Sequence, residues 1–342
     1  MTTFSSDGHR IRRARVDDAP DIAALFQLVY EASSHPCKVS EFVSDTLLAD
    51  DRNLWLVSER GGELTGCMGM LLHPWNRSWE FVRGLTRPDC RGGGLATALA
   101  QHTTAVAWES DSCDLVIAFP RSRTMSRIIT DAITPGFTVV GHDGGINIAA
   151  GQREYHLVAL CVGHGRQSVD RVVPDNNQVA AQDFVQREVI EPLRVPGRAG
   201  QYPPVLIAGD HVRHPDYGPF TFEYHPFCPS DSIEITAYTG PKSDPCAIAN
   251  DLVLTLESFE FVRHVRLAAL ADKTAFIEAL CADGFQRSAY LPAWYLENGA
   301  RYDCVLLTRR TTAEEPADHG TRNLVDHFSR GYHGRRLETH RS

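Results

Sequence analysis

The sequence predicts an α/β (α+β) fold: a mixed central sheet flanked by helices, followed by a second, related domain. Three observations carry this. A strand-like segment, Ser78–Thr86, runs through the turn Arg91-Gly92-Gly93-Gly94 into a helix-like segment, Leu95–Trp108. Short apolar strands and amphipathic helices alternate across residues 9–165. The succession strand, helix, Gly-Phe, strand then occurs twice, around Gly136-Phe137 and around Gly284-Phe285.

Each element has a local reason. Residues 10–14 alternate as a first strand, and Val16-Asp17-Asp18-Ala19-Pro20 carries helix-start character. Ile22, Ala23, Leu25, Phe26, Val29 and Tyr30 then recur at helical spacing, and 41–49 supplies a second helix. Residues 53–59 and 64–71 are strands joined by the hairpin turn Arg60-Gly61-Gly62-Glu63. After the Gly-rich turn and its helix come a strand at 114–119, a helix at 126–132 ended by Pro135-Gly136, and a strand from Phe137. Residues 166–200 read as a linker with a helix-like stretch at 178–191. Residues 201–312 read as a second domain, with strands at 259–267, 290–294 and 302–307, a helix at 273–282 and a hairpin turn at Glu297-Asn298-Gly299-Ala300. The tail 313–342 lacks sustained periodicity and is expected to be disordered or loosely attached.

Composition narrows the function. The chain has 342 residues, enough for two domains. Its formal charge of -9 argues against bulk nucleic-acid binding. No run of about 18 apolar residues suggests a membrane span, and the first residues lack a signal-peptide core. Nine cysteines without Cys-x-x-Cys spacing argue for free thiols in a reducing cytoplasm, and His327, His333 and His340 do not show metal-site spacing.

The Gly-rich turn carries the chemistry. Backbone N–H groups at a strand-to-helix turn, with the positive helix end, suit phosphate or pyrophosphate. A Walker A loop would end Gly-Lys-Ser/Thr, whereas this one ends Gly94-Leu95-Ala96. A Rossmann fingerprint needs a third glycine where Thr97 stands. The pattern Arg/Gln-x-x-Gly-x-Gly/Ala is matched at every fixed position by Arg91, Gly94 and Ala96.

With its flanks and with the element order β-α-α-β-β-β-α-β-α-β over residues 9–165, this turn resembles the GNAT superfamily of N-acetyltransferases. The resemblance implies that Arg91, Gly92, Gly93, Gly94, Leu95 and Ala96 hold the pyrophosphate of acetyl-CoA as co-substrate. It also implies that Leu85 and Thr86 meet the pantetheine arm and that Ser126 touches CoA from the next helix. Residues 201–312 resemble a degenerate second copy without the loop, hence without a second CoA site.

Acetyl transfer to an amine needs a proton acceptor and a polarised thioester carbonyl. Glu80, on the strand that leads into the loop, is the first candidate base, and His73 its rival. Glu31 and His35 follow the first helix, where the resemblance places the acceptor. Ala132 stands where many members carry a tyrosine proton donor. The implied activity is an acyl-CoA-dependent N-acyltransferase acting on a small-molecule amine in the cytoplasm, with room for a homodimer and no metal, membrane or nucleic-acid partner. Two alternatives stay open: altered chemistry on the same scaffold (hydrolase, lyase or another acyl donor, in secondary metabolism), and a non-catalytic CoA-binding module.

Overall fold

The computed structural model describes residues 3–4, 8–30, 35–120, 136–145, 147–149, 152–163, 169–174, 182–210, 218–224, 231–241, 244–310 and 319–333. The chain divides into two compact units. The first is Met1–Ala118 with Ser126–Phe137, and the second is Phe119–Met125 with Thr138–Ser342.

In the first unit, β1 (Arg10–Arg13), β2 (Asn53–Arg60), β3 (Glu63–His73), β4 (Ser78–Thr86) and β5 (Leu115–Ala118) lie side by side in that order. All pairs are antiparallel except β4 with β5, which are parallel. Helix α1 (Ala19–Val29) and α2 (Ser40–Phe42, continued as a π-helical turn Val43–Leu48) cover one face. Their apolar stripe, including Ile22, Phe26, Val43 and Leu47, packs on Trp55, Val57, Cys67 and Leu85 of the sheet. Helix α3 (Leu95–Trp108) covers the other face, burying Leu95 and Leu99 against Leu54, Leu56, Met70 and Trp79. Alternate strand residues thus feed opposite cores, as the period of two requires.

In the second unit the order is β7 (Leu157–Val162), β6 (Thr138–His142), β12 (Gln286–Glu297), β13 (Ala300–Arg310), β11 (His264–Leu270), β10 (Ser232–Tyr238), β9 (Phe220–Tyr224). Strands β10 and β11 are parallel, joined through helix α5 (Pro245–Glu257); helix α6 (Thr274–Ala282) follows β11. The turn between β12 and β13 places Asn298 and Gly299 at φ 53° and 80°, the left-handed pair a two-residue hairpin prefers.

Four expectations need correction. The strand from Phe137 begins at Thr138 and groups with the C-terminal unit, not with residues 9–118. Its Gly141 lies opposite Ala289 of β12, and the Val140 carbonyl accepts from the Tyr332 hydroxyl. The 166–200 segment is no passive linker. It holds helix α4 (Gln182–Val185, continued through the π-helical turn Gln186–Ile190 into Glu191–Leu193), its strand β8 (Arg171–Val173) pairs with β13, and Arg171 forms a buried ion pair with Asp303 at 2.6 Å. The tail contains helix α7 (His319–His333), held by buried Val325, Phe328 and Tyr332. The strand expected at 259–267 starts only at His264, because the preceding residues turn back and Phe259 packs at a tilt against Phe222, with centroids 5.1 Å apart. The helix expected at 126–132 lies outside the described residues.

Candidate functional site

Strand β4 positions the candidate residues. Trp79 and Phe81 face α3, so Ser78, Glu80 and Val82 face α1 and α2. The register sets Leu71 opposite Glu80 and His73 opposite Ser78, on that same face. Glu80 and His73 therefore meet: Oε2 lies 2.9 Å from the imidazole Nε2, and both side chains are about a quarter exposed. The sequence offered them as rivals for one role. The structure makes them a hydrogen-bonded pair, in which a carboxylate and an imidazole can share one proton.

Past Val82 the strand changes character. Pairing with β5 runs only from Ser78 to Phe81, so the β5-side edge from Val82 to Thr86 has no strand partner among the described residues. The ladder with β3 also slips here, with Cys67 opposite Leu85 but Gly69 opposite Val82. This is a β-bulge, and Arg83 within it has φ 52°. A left-handed arginine costs about 1–2 kcal/mol. The bulge also switches faces: Phe81 packs with the α3 core, whereas Leu85 belongs to the α1 core. Leu85 is buried and Thr86 half-buried along the open edge.

Sequence reading missed Arg83. One signal was present: Trp79, Phe81, Arg83 and Leu85 share a strict period of two, and a charge in phase with three apolar residues signals a change of register.

The strand leads through a short 3-10 turn, Pro88–Cys90, into the glycines. Gly94 is the N-cap of α3, with φ 78° and ψ 5° and no side-chain cap. A Cβ there would meet nothing within 4 Å, so the left-handed backbone, not crowding, calls for glycine. The first intrahelical bond is from Ala98 N–H to the Gly94 carbonyl, at 2.9 Å. The N–H groups of Leu95, Ala96 and Thr97 thus stand ahead of the ladder, with no acidic residue in the first turn. Such an end attracts an anion through main-chain donors and the helix dipole.

Arg91, Gly92, Gly93 and Gly94 are exposed around it. Arg87 is engaged otherwise, bonded to Glu63 at 2.8 Å and to Asp89 at 2.7 Å, and it holds the Asp89 carboxyl well below the usual range. The open glycine turn fits a pyrophosphate; Arg91 is the one nearby cation the motif supplies.

Helix α5, in the C-terminal unit, is the internal contrast. It also follows a strand that pairs in parallel with the next. Its N-cap is Asp244, whose carboxylate accepts from Ala247 N–H at 3.2 Å, and Pro245 removes a further donor. A carboxylate already occupies the place an anion would take. Glu234 on β10 is paired with Arg266 of β11.

Opposite the bulge, the segment after α1 builds a wall of rings. Phe26 and His35 lie 4.7 Å apart between centroids, and Tyr30 and His35 5.1 Å. Burial, with the charges of Arg83 and Lys38, pushes the His35 imidazole down to about 4. His35 Nδ1 accepts the Cys37 N–H at 3.2 Å, so the neutral ring carries its proton on Nε2. Glu31, Ser126 and Ala132 lie outside the described residues. Among the described residues no group of three or more His, Cys, Asp or Glu is set to hold a metal, and no helix is long and apolar enough to cross a membrane.

Residues 19–123 match the model of the acetyltransferase (GNAT) family. No curated protein matches the sequence. Among solved structures, a ribosomal-protein-S5-alanine acetyltransferase from Vibrio fischeri aligns at 13% identity and TM-score 0.43, covering 49% of this chain and 99% of its own. A spermidine N-acetyltransferase chimera from Vibrio cholerae aligns at 15% and 0.39, covering 45% and 95%. The ribosomal-protein-S18-alanine N-acetyltransferase from Escherichia coli aligns at 15% and 0.39, covering 46% and 96%.

Proposed function

We propose, from the match of residues 19–123 to the GNAT acetyltransferase family model, that the protein transfers an acetyl group from acetyl-CoA to a small-molecule amine. The observation that carries the proposal is the α3 N-terminus. It is left without a side-chain cap at Gly94 and lies at the end of the strand bearing Glu80.

Acetyl-CoA supplies a thioester, an acyl group already activated for attack by nitrogen. The residues of the chain do the rest. Main-chain N–H groups at 94–97, with Arg91, would hold the pyrophosphate, and the open edge at Leu85 and Thr86 would take the arm that follows. Glu80, paired with His73, would accept the proton that the attacking amine loses as its N–C bond forms and the C–S bond breaks. The proton balance closes on free CoA thiol and an amide.

The C-terminal half we read as a diverged copy without cofactor. Ser232-Ile233-Glu234-Ile235 runs parallel to β11 as Ser78-Trp79-Glu80-Phe81 runs parallel to β5. The second glutamate is tied to Arg266 and the second helix end is capped by Asp244. The proposal places the enzyme in the cytoplasm.

Calorimetry with CoA, together with thiol release from acetyl-CoA over an amine panel, tests the reading. Binding with amine-dependent thiol release is expected. Absence of CoA binding overturns it. CoA binding without turnover on any amine favours a binding module, and amine-independent thioester cleavage favours altered chemistry, the reading that Ala132 in place of a tyrosine keeps in view.

A further inference from the structure

Arg77 has no task in the proposed chemistry. It ends the four-residue turn Pro74–Arg77 that joins β3 to β4, and its φ of 52° is left-handed. Glycine is the default at such a position, and an arginine there is disfavoured. Bonds to the segment that leads into β5 hold it in place. The Arg77 carbonyl accepts the Asp114 N–H at 2.9 Å. Its guanidinium Nη2 donates to the Asp111 carbonyl and pairs with the Asp114 carboxylate at 3.1 Å.

The same turn decides where His73 stands. The register with β2 ends with Asn53 opposite Leu71, so His73, the last residue of β3, takes its place from β4 and the turn. The His73 carbonyl accepts the Asn76 N–H at 3.3 Å, and the Pro74 carbonyl accepts the Arg77 N–H at 3.4 Å. Asn76 and Ser78 are fully buried, and the Ser78 hydroxyl donates to Asn76 Oδ1 at 2.6 Å. Ser78 lies opposite His73 on one side and opposite Leu115 of the buried β5 on the other. A slip of one residue here would turn His73 away from the face that carries Glu80. We propose that Arg77 is a positioning residue: by tying the turn to the segment before β5, it fixes the register in which His73 meets Glu80. This rests on the acetyl-transfer reading, in which that pair accepts the proton of the amine.

The test uses the full chain. Arg77→Gly removes the guanidinium and leaves a backbone that adopts a φ of 52° freely. Arg77→Lys keeps the charge without the planar geometry. Each is made alone and together with His73→Gln. Thiol release from acetyl-CoA gives kcat and KM, and calorimetry gives CoA affinity. The pH titration of the His73 ring is followed by NMR and assigned by its loss in His73→Gln. Arg77→Gly is expected to lower kcat about tenfold, less than the hundredfold that a 1 Å misplacement can cost, with KM and CoA affinity within about twofold. Arg77→Lys is expected to stay within about threefold of the parent. In the His73→Gln background Arg77→Gly is expected to remove less than about twofold more, because the residue it positions is gone. The His73 titration in Arg77→Gly is expected to move in the same direction as in Glu80→Gln.

An equal loss of kcat in both backgrounds overturns the inference, since a turn that merely stabilises the unit acts with or without His73. An undiminished kcat in Arg77→Gly overturns it, and so does a His73 titration unmoved from that of the parent. Arg77→Lys carries the same comparison if Arg77→Gly loses CoA binding. A parent protein without CoA binding or amine-dependent thiol release counts against the acetyl-transfer reading, and the His73 titration then still decides the role of Arg77.

Discussion

Glu80 and His73 meet because an antiparallel register puts them on one face two positions apart, 2.9 Å between oxygen and nitrogen. A pair of this kind works as a unit, so its two substitutions should not add. Glu80→Gln keeps the shape and removes the basic oxygen. It is expected to lower kcat about a hundredfold, the usual size of a general-base contribution, while CoA affinity stays within about twofold. His73→Gln is expected to cost less, and the double substitution no more than Glu80→Gln. Steady-state thiol release with parallel calorimetry reads all three, and an undiminished kcat in Glu80→Gln removes Glu80 from the mechanism. Sequence reading found both residues but set them against each other. Their contact depends on cross-strand register, which no local pattern around Pro74 specifies.

The two helix ends make a controlled comparison inside one chain. Gly94 caps α3 without a side chain, and Asp244 caps α5 with a carboxylate. Gly94→Glu brings a negative charge to the open turn and a Cβ to a left-handed backbone. CoA binding is expected to vanish in calorimetry while thermal unfolding moves by only a few degrees, the effect of about 1 kcal/mol. Persistence of CoA binding would move the cofactor site elsewhere. Asp244→Ala is expected to cost about 1 kcal/mol in urea unfolding and to create no CoA site, since Pro245 still removes a donor. Elements with strong local punctuation were legible: β2 and β3 across Gly61-Gly62, α3 after the glycines, and β12 and β13 across Asn298-Gly299. Strand β10 and helix α5 were passed over although both carry signals: Ile233, Glu234 and Ile235 alternate within a seven-residue strand, and Asp244-Pro245 is an N-cap followed by a proline at the first helical position. Helix α7 was hidden by its histidines and arginines, although Val325, Phe328 and Tyr332 keep helical spacing and are buried. Arg83 was overlooked because a bulge is decided by pairing between strands, not by its own neighbours.

Across the chain, stability leans on polar groups kept from water. In the C-terminal unit Asp303 accepts from Arg171 Nε at 2.8 Å, from the Tyr290 hydroxyl at 2.7 Å and from Ala293 N–H at 2.9 Å, so a segment that reads as a linker is fastened to β13. Asp303→Ala strands a buried guanidinium and is expected to cost about 3–5 kcal/mol in urea unfolding. A cost below about 1 kcal/mol would mean the segment is held by other contacts. Titration supplies the other lever. His142 is buried and its imidazole is pushed down to about 3, and His35 to about 4, chiefly by desolvation of the charged form. The unfolded chain takes these protons near pH 6.5, the folded one only below those lower values. Between them the unfolded state binds more protons, so this contribution raises stability as pH rises from about 4 to 6.5 and is flat above. Asp143 and Asp272, both raised by burial, act in the opposite sense, so the total slope mixes signs. A comparison of parent and variant isolates one group. His142→Gln is expected to reduce the gain in unfolding free energy from pH 5 to pH 7 by about 2 kcal/mol, because only the parent must keep that ring neutral. Urea titrations of both proteins at the two pH values decide it, and an equal gain in parent and variant would mean that His142 is already protonated in the folded state at pH 5.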